Sequence, residues 1–389
     1  MQTRRYLPSQ NKRGDIYMKV LSKKEVIGNC AMFDQLISIN RWSSCMYGPR
    51  YAELGKQALN SAIAYFLAAE AENEGKKINW ELFPRIAIHR GFEKTVLVDI
   101  REDDVERIFY NAGLPINKFF ELIEREIAET TSNEFREWLE VPEDCMEKRI
   151  YRAATKLATR LELWEASRTT AIADYSEKLK EIEGTLGEFY DLPGFSRMAL
   201  ECSAEMKIFR KISSLRNRIR WQKRICTVPC SVLGHLFEVG VLGYLLALEK
   251  YQDEAVAARC FFIGIFHDLP EAWTGDMPSP IKDAIPGLRQ ATENFENDRM
   301  NRHVYQKLPV HLSTALHLVM MEEADALEYK PLMKCADYLS ADLECMRQRM
   351  AGNRDPYFRD VLQNDVTVKK AQFSTAFQVI FEEAEKLLK

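Results

Sequence analysis

Phe262-Ile263-Gly264-Ile265-Phe266-His267-Asp268-Leu269-Pro270-Glu271 is an apolar run that closes on adjacent His and Asp, with a Glu four residues after the His. On a helix, His267 and Glu271 lie one turn apart on one side. Thirty-two residues upstream stands His235. Its run continues through Val239, Leu242 and Leu246 at helical spacing, so the imidazole is expected to face the core. Seventy residues downstream stands Asp337, within Lys334-Cys335-Ala336-Asp337-Tyr338-Leu339, again on an expected helix. A lone His-Asp dipeptide arises by chance. A His, a His-Asp pair and an Asp on three helices form a far more specific pattern.

Two neutral imidazoles and two carboxylates suit one divalent cation: Mn, Co, Zn, Ni, Fe or Mg. The two Asp charges would formally neutralise it. Four protein ligands leave positions open for water and a substrate oxygen. Such an ion acidifies water and polarises a phosphoryl group. Without a cation, two buried aspartates would carry a severe desolvation cost.

Outward from this stretch, apolar residues recur at helical spacing over 55–72, 116–128, 149–166, 204–221, 233–250, 255–267, 311–321 and 331–350. Strand signals are few, so the expected fold is all-α. Thr95–Ile100 reads as a short strand or a loop. Pro and Gly cluster between helices, and Asp191–Ser196 marks a boundary between two halves. The 389 residues are enough for two domains. A net charge of −4 gives no global pull toward a nucleic-acid polymer. No run of 18 or more apolar residues predicts a membrane span, and the N-terminus lacks the apolar core of a secretory signal. The nine cysteines show no framework spacing and read as reduced thiols of a cytoplasmic protein. Residues 1–28 hold seven Lys/Arg against two acids and read as a basic arm. Residues 203–224 hold eight against one and read as a solvated face, or as a source of phosphate attraction beside the motif.

At these residues the chain resembles the HD-domain phosphohydrolases, and within them the bacterial 5′-deoxynucleotidases. The resemblance spans about Ile219 to Arg347. It includes Arg220-Trp221, His235, the run from His267-Asp268 through Glu271 and Thr274-Gly275-Asp276, then Pro278-Ser279-Pro280-Ile281-Lys282, and Asp337. It implies that His235, His267, Asp268 and Asp337 ligate one divalent metal. It implies Glu271 as a catalytic acid/base and Asp276 as a sugar-positioning or leaving-group residue. Arg220 would hold the 5′-phosphate, Trp221 would pack near the nucleoside, and Lys282 would contact substrate or pair with Asp276. The implied reaction is hydrolysis of a 2′-deoxynucleoside 5′-monophosphate. The lead into the first His, Cys230-Ser231-Val232-Leu233-Gly234, departs from the family, which carries polar residues there.

The family's usual length is about half of this chain, and the other half reads as a diverged copy. Arg41-Trp42 and Leu54-Gly55-Lys56 align with Arg220-Trp221 and Leu233-Gly234-His235 at an offset of 179. Tyr65 and Ala68 match Tyr244 and Ala247 at the same offset. Ile88-His89-Arg90-Gly91-Phe92-Glu93 aligns with Phe266-His267-Asp268-Leu269-Pro270-Glu271 at 178. Ala154-Thr155-Lys156-Leu157 and Leu161-Glu162 align with Ala336-Asp337-Tyr338-Leu339 and Leu343-Glu344 at 182. At the four ligand positions the first copy has Lys56, His89, Arg90 and Thr155, so it should bind no catalytic metal. Two buried cations there need acidic partners, Glu93 among them.

The expected organisation is a tandem pair of HD-like helical domains: a basic arm over 1–28, a degenerate domain over 29–195 and a catalytic domain over 196–389. The pair is expected to pack as a pseudo-dimer within one chain, giving a monomer or a homo-oligomer. Its partner is a small-molecule nucleotide. Rival readings are a dNTP triphosphohydrolase and a nucleotide-binding regulator that uses the first half as a sensor. His303, His311 and His317 match no metal spacing and are expected in ordinary surface or core roles.

Overall fold

The computed structural model describes residues 21–42, 51–98, 100, 102–169, 175–275, 277, 279–320, 328–374 and 376–388. Its main helices in chain order are α1 (Lys23–Ser38), α2 (Glu53–Asn73), α3 (Leu82–Leu97), α4 (Met146–Thr169), α5 (Ser176–Leu186), α6 (Ala204–Ser214), α7 (Val232–Tyr251), α8 (Glu254–Phe266), α9 (Lys330–Met350), α10 (Pro356–Lys369) and α11 (Gln378–Leu388). Shorter helices fill 102–139 and 271–319. Among the described residues the strands are a two-residue pair, β1 (Asn40–Arg41) and β2 (Tyr51–Ala52). The fold is all-α.

Local chemistry sets the helix starts. Ser22 and Glu25 form a capping box, so α1 begins inside the stretch read as a basic arm. Ser231 accepts from the Gly234 N–H and opens α7. Asp253 accepts from two amides and opens α8. Asp355 followed by Pro356 opens α10.

Two expectations on element limits change. The span 204–221 is not one helix: α6 stops at Ser214, a 3-10 turn follows, and Ile219 pairs with Ser231 in an isolated bridge. The chain is held open there because Arg220 N–H donates to Cys230 O and Val232 N–H to Arg218 O, which the helix would have used internally. Thr95–Leu97 belongs to α3, which ends where Val98 takes φ 54°.

Helices α7 and α8 form the centre. By length and composition α7 is apolar enough to cross a membrane, but 94% of its apolar window is enclosed by protein. It crosses α8 where two glycines meet. A Cβ on Gly264 would lie 2.5 Å from Gly240 Cα, so only glycine permits this approach. The same α7 packs against α2 of the first half.

The contacts between the two halves come in reciprocal pairs. A Cβ on Gly55 would meet the Leu233 side chain at 3.4 Å, and one on Gly234 would meet Leu54 at 3.2 Å. Tyr65 on α2 donates to Ala315 O in the helix Val310–Val319, while Tyr244 on α7 stacks on Trp138 in the helix Asn133–Leu139. Asp34 on α1 pairs with Arg347 on α9, while Ser213 on α6 donates to Glu165 on α4. Each member of a pair lies 177 to 182 residues from its counterpart, close to the offsets of the sequence alignment. The β1–β2 register, Asn40↔Ala52, has the same 179-residue relation to the Ile219↔Ser231 bridge.

Candidate metal centre

His235 sits in the first turn of α7, where burial is complete. Its Nδ1 is 2.9 Å from Ser340 Oγ and 3.4 Å from Glu344 Oε1, both on α9. His267 caps α8, and its Nδ1 is 2.7 Å from Gly264 O. A carbonyl only accepts, so Nδ1 of His267 carries the proton and Nε2 holds a lone pair in the neutral ring. Both Nε2 atoms are buried without a well-formed hydrogen bond. They face acids: Asp337 Oδ1 is 3.2 Å from His235 Nε2, and Asp268 Oδ2 is 3.3 Å from His267 Nε2. Asp268 Oδ2 is also 4.0 Å from His235 Nε2.

His235, His267 and Asp268 each place one donor atom within 4.8 Å of the others, and Asp337 joins them through His235. Lys334 takes the second oxygen of Asp337 at 2.7 Å. Fixing a ligating imidazole by its other nitrogen is how proteins orient it for a cation. The donor set, the burial and the two orphaned Nε2 atoms therefore fit a divalent ion.

The electrostatics point the same way. Burial alone would lower the His267 pKa, but the adjacent Asp268 charge overrides it and raises it to about 9. Burial would raise Asp268, yet His267 and then His235 hold it at about 2. Asp337 is likewise held well below the carboxylate range, against burial, by its close approach to His235 and by the His267 and Lys334 charges. The pocket is strongly attractive to positive charge.

His267 and Glu271 do not share one helix. Pro270 has no N–H, so α8 ends at Phe266 and a new short helix begins at Glu271. Bonds of the i→i+3 type, such as Leu269 N–H to Phe266 O, carry the chain across. Asp276 lies outside the described residues. Lys282 faces Glu296 at 3.7 Å. Arg220 turns its Nε toward Glu344 at 2.9 Å, with Asp337 and Asp268 close enough to add to its charge stabilisation. Trp221 donates to Glu344 Oε2 at 2.6 Å and packs edge-on against Tyr357 and Phe358. Among the other histidines, His311 pairs with Glu70 and His317 stacks on Tyr305.

Four neighbours escaped the motif reading: Glu238, Ser340, Glu344 and Glu296. Three had a faint signal. Glu238 is three residues after His235, and Ser340 and Glu344 are three and seven after Asp337, on the ligand faces of their helices. Glu296 had none; burial followed by Asp268 raises its pKa, which marks it as a neighbour of the site.

The matching place in the first half holds cations. Lys56 is 2% exposed, donates to Thr159 Oγ1 at 2.6 Å and lies 3.4 Å from Glu162. Arg90 pairs with Glu93 at 2.9 Å, and His89 lies between Glu93 and Glu124. Arg41 and Trp42 both bind Glu162, as Arg220 and Trp221 bind Glu344. Trp42 and Trp221 share φ 60°, an uncommon backbone state for a bulky residue. The Arg-Trp dipeptide thus holds the corresponding helix glutamate in both halves. A cavity of about 290 Å³ lies between the halves, lined by Leu54, Gly55, Arg216, Cys230 and Gly234 and by none of the expected ligands.

A helical domain that gathers a His, a His-Asp pair and an Asp from separate helices in this way defines the HD-domain phosphohydrolases. Residues 207–382 match the family model described as 5′-deoxynucleotidase YfbR-like. The chain is similar to a 5′-deoxynucleotidase of Yersinia pseudotuberculosis serotype I, with 26% identity over 177 residues, covering 44% of this chain and 89% of that protein. It is also similar to a 5′-deoxynucleotidase of Yersinia pestis strain Pestoides F, with 28% identity over 150 residues, 38% of this chain and 76% of the relative. Over residues 207–382 the chain is similar to the HD-domain phosphohydrolases described as 5′-deoxynucleotidases.

Proposed function

We propose that this enzyme hydrolyses 2′-deoxynucleoside 5′-monophosphates to deoxynucleoside and phosphate, using one divalent cation held by His235, His267, Asp268 and Asp337. The observation that carries it is the pair of buried, unsatisfied Nε2 atoms facing two ionised aspartates. When bound, the cation would acidify water and draw charge from the phosphoryl oxygens. Water oxygen bonds to phosphorus, the P–O5′ bond breaks, and O5′ leaves with a proton. Glu271, at the start of the short helix that follows His267, is the candidate to move that proton. Arg220 neutralises phosphate charge from beside Asp337 and Asp268, and Trp221, anchored on Glu344, walls the nucleoside side. Asp276 and Lys282 remain candidates for contacts to the sugar.

The first half is, in this reading, a diverged copy of the same domain, covering 29–195 against 196–389. Reciprocal contacts are the mark of an isologous interface, in which residue i meets j and j′ meets i′. The copy has replaced an exchangeable cation with Lys56 and Arg90, each paired to its own acid. Its role is to cover the face that α7 would otherwise expose.

Phosphate release from a panel of dNMPs, NMPs and dNTPs with Mn²⁺ or Co²⁺ tests the reaction. Inorganic phosphate from dNMPs is the expected product. Inorganic triphosphate from dNTPs would establish the rival triphosphohydrolase instead, and no turnover with any nucleotide would leave a binding regulator.

A further inference from the structure

We propose that Asp34, in the half of the chain without metal ligands, is a positioning residue for the metal ligand His235. This rests on the metal-dependent reading above.

A continuous polar chain connects the two residues through the core. His235 Nδ1 is 2.9 Å from Ser340 Oγ. Ser340 Oγ donates to Glu238 Oε2 at 2.7 Å. Glu238 Oε1 is 2.7 Å from Arg347 Nη2, and Arg347 Nε bonds Asp34 Oδ1. Ser340 and Glu238 are fully buried and Arg347 is 6% exposed, so water cannot replace the inner links, while the Asp34 side chain at the outer end is 41% exposed.

The direction of the chain matters for the metal. An ionised Glu238 can only accept, so the Ser340 hydroxyl points its proton at Glu238 and offers a lone pair to His235. Nδ1 then carries the imidazole proton, and Nε2 is free for a cation. If Glu238 were neutral and donated instead, Ser340 could turn its proton to Nδ1 and leave the Nε2 position protonated. Burial pushes the Glu238 pKa up, and the Arg347 charge is the main opposing influence. Asp34 holds the Nε edge of Arg347, so its Nη2 stays on Glu238. Glu344, 3.4 Å from the same Nδ1, favours the same tautomer and limits how much is lost when the chain is cut.

The corresponding link on the other side is different. Ser213 and Glu165 stand where Asp34 and Arg347 stand, and there a serine hydroxyl donates to a carboxylate at 2.9 Å, so the position of the Arg347 guanidinium is taken by an acid. The cationic version of the link is present on the side that has a ligand to orient. A contact between the halves thereby becomes part of the site.

The test uses the full chain and Co²⁺ as the probe, with affinity read by calorimetry and coordination by the visible Co²⁺ spectrum. Asp34→Asn should weaken Co²⁺ binding by about 3- to 10-fold, less than the loss typical of a group touching the ligand itself. Asp34→Glu should restore much of it. Adding Asp34→Asn to Glu238→Gln should cost little beyond Glu238→Gln alone, since the chain is already broken. Asp191→Asn, which removes an exposed ion pair with Arg149, should leave affinity and spectrum unchanged. Parental Co²⁺ affinity and spectrum in Asp34→Asn, with Glu238→Gln impaired, would overturn this proposal alone. Absence of Co²⁺ binding by the parent would overturn the metal reading and this proposal with it.

Discussion

Lys56 and His235 occupy matching places in the two halves and meet opposite demands. In the proposed site His235 would take a cation from outside, whereas Lys56 brings an amine of its own to Glu162. Burial is the larger influence on Lys56 and, with the competing Arg41 and Arg216 charges, outweighs Glu162, bringing its pKa down from 10.5 to about 7. Glu162 resists burial and stays near 2 because Lys56, Arg41 and Arg216 all face it. Below about pH 7 Lys56 is charged in folded and unfolded chains alike, and its full burial penalty applies. Between about 7 and 10.5 the unfolded chain holds a proton that the folded chain does not, so stability rises with pH by up to about 1.4 kcal/mol per unit. Lys56→Met removes that dependence. Its stability relative to the parent should be most favourable at pH 6 and decline by pH 9 in parallel denaturant titrations. A difference that does not change with pH would contradict this account of the residue.

Helices α7 and α8 show how an element positions chemistry. Gly264 allows α8 to lie on Gly240, and its carbonyl also fixes His267 Nδ1. Gly264→Ala would push backbone against backbone, at a cost on the order of 3 kcal/mol, and would displace the ligand one turn later. Loss of thermal stability together with weaker Co²⁺ binding is expected; a variant with parental values for both would contradict the close-packed crossing. The helices bearing the ligands were legible because apolar spacing and ligand spacing coincide in one run. The break between His267 and Glu271 was less so, although Pro270 signals it. The early end of α6 was hidden, because Arg218–Trp221 leave the helix for bonds to residues ten or more positions later. Ser340, Glu238 and Glu344 act through tertiary contacts, which helical spacing alone does not single out.

At the scale of the whole molecule, the two halves share buried apolar surface. Leu233 and Gly234 on α7 pack against Leu54 and Gly55 on α2, and all four are buried. Residues 196–389 expressed alone would expose that apolar face and should self-associate non-specifically in light scattering, while the full chain, with this face covered internally, should give one defined species, monomer or homo-oligomer. A monodisperse, stable monomer of the isolated segment would remove the case for a covering role. The asymmetry between the halves is tested most directly by counting metal. Metal analysis of full-length chain loaded with Mn²⁺ or Co²⁺ should give one ion per chain for the parent, one for Thr155→Ala and none for Asp268→Ala. Two ions in the parent, or an ion retained by Asp268→Ala, would contradict a single centre built on His235, His267, Asp268 and Asp337.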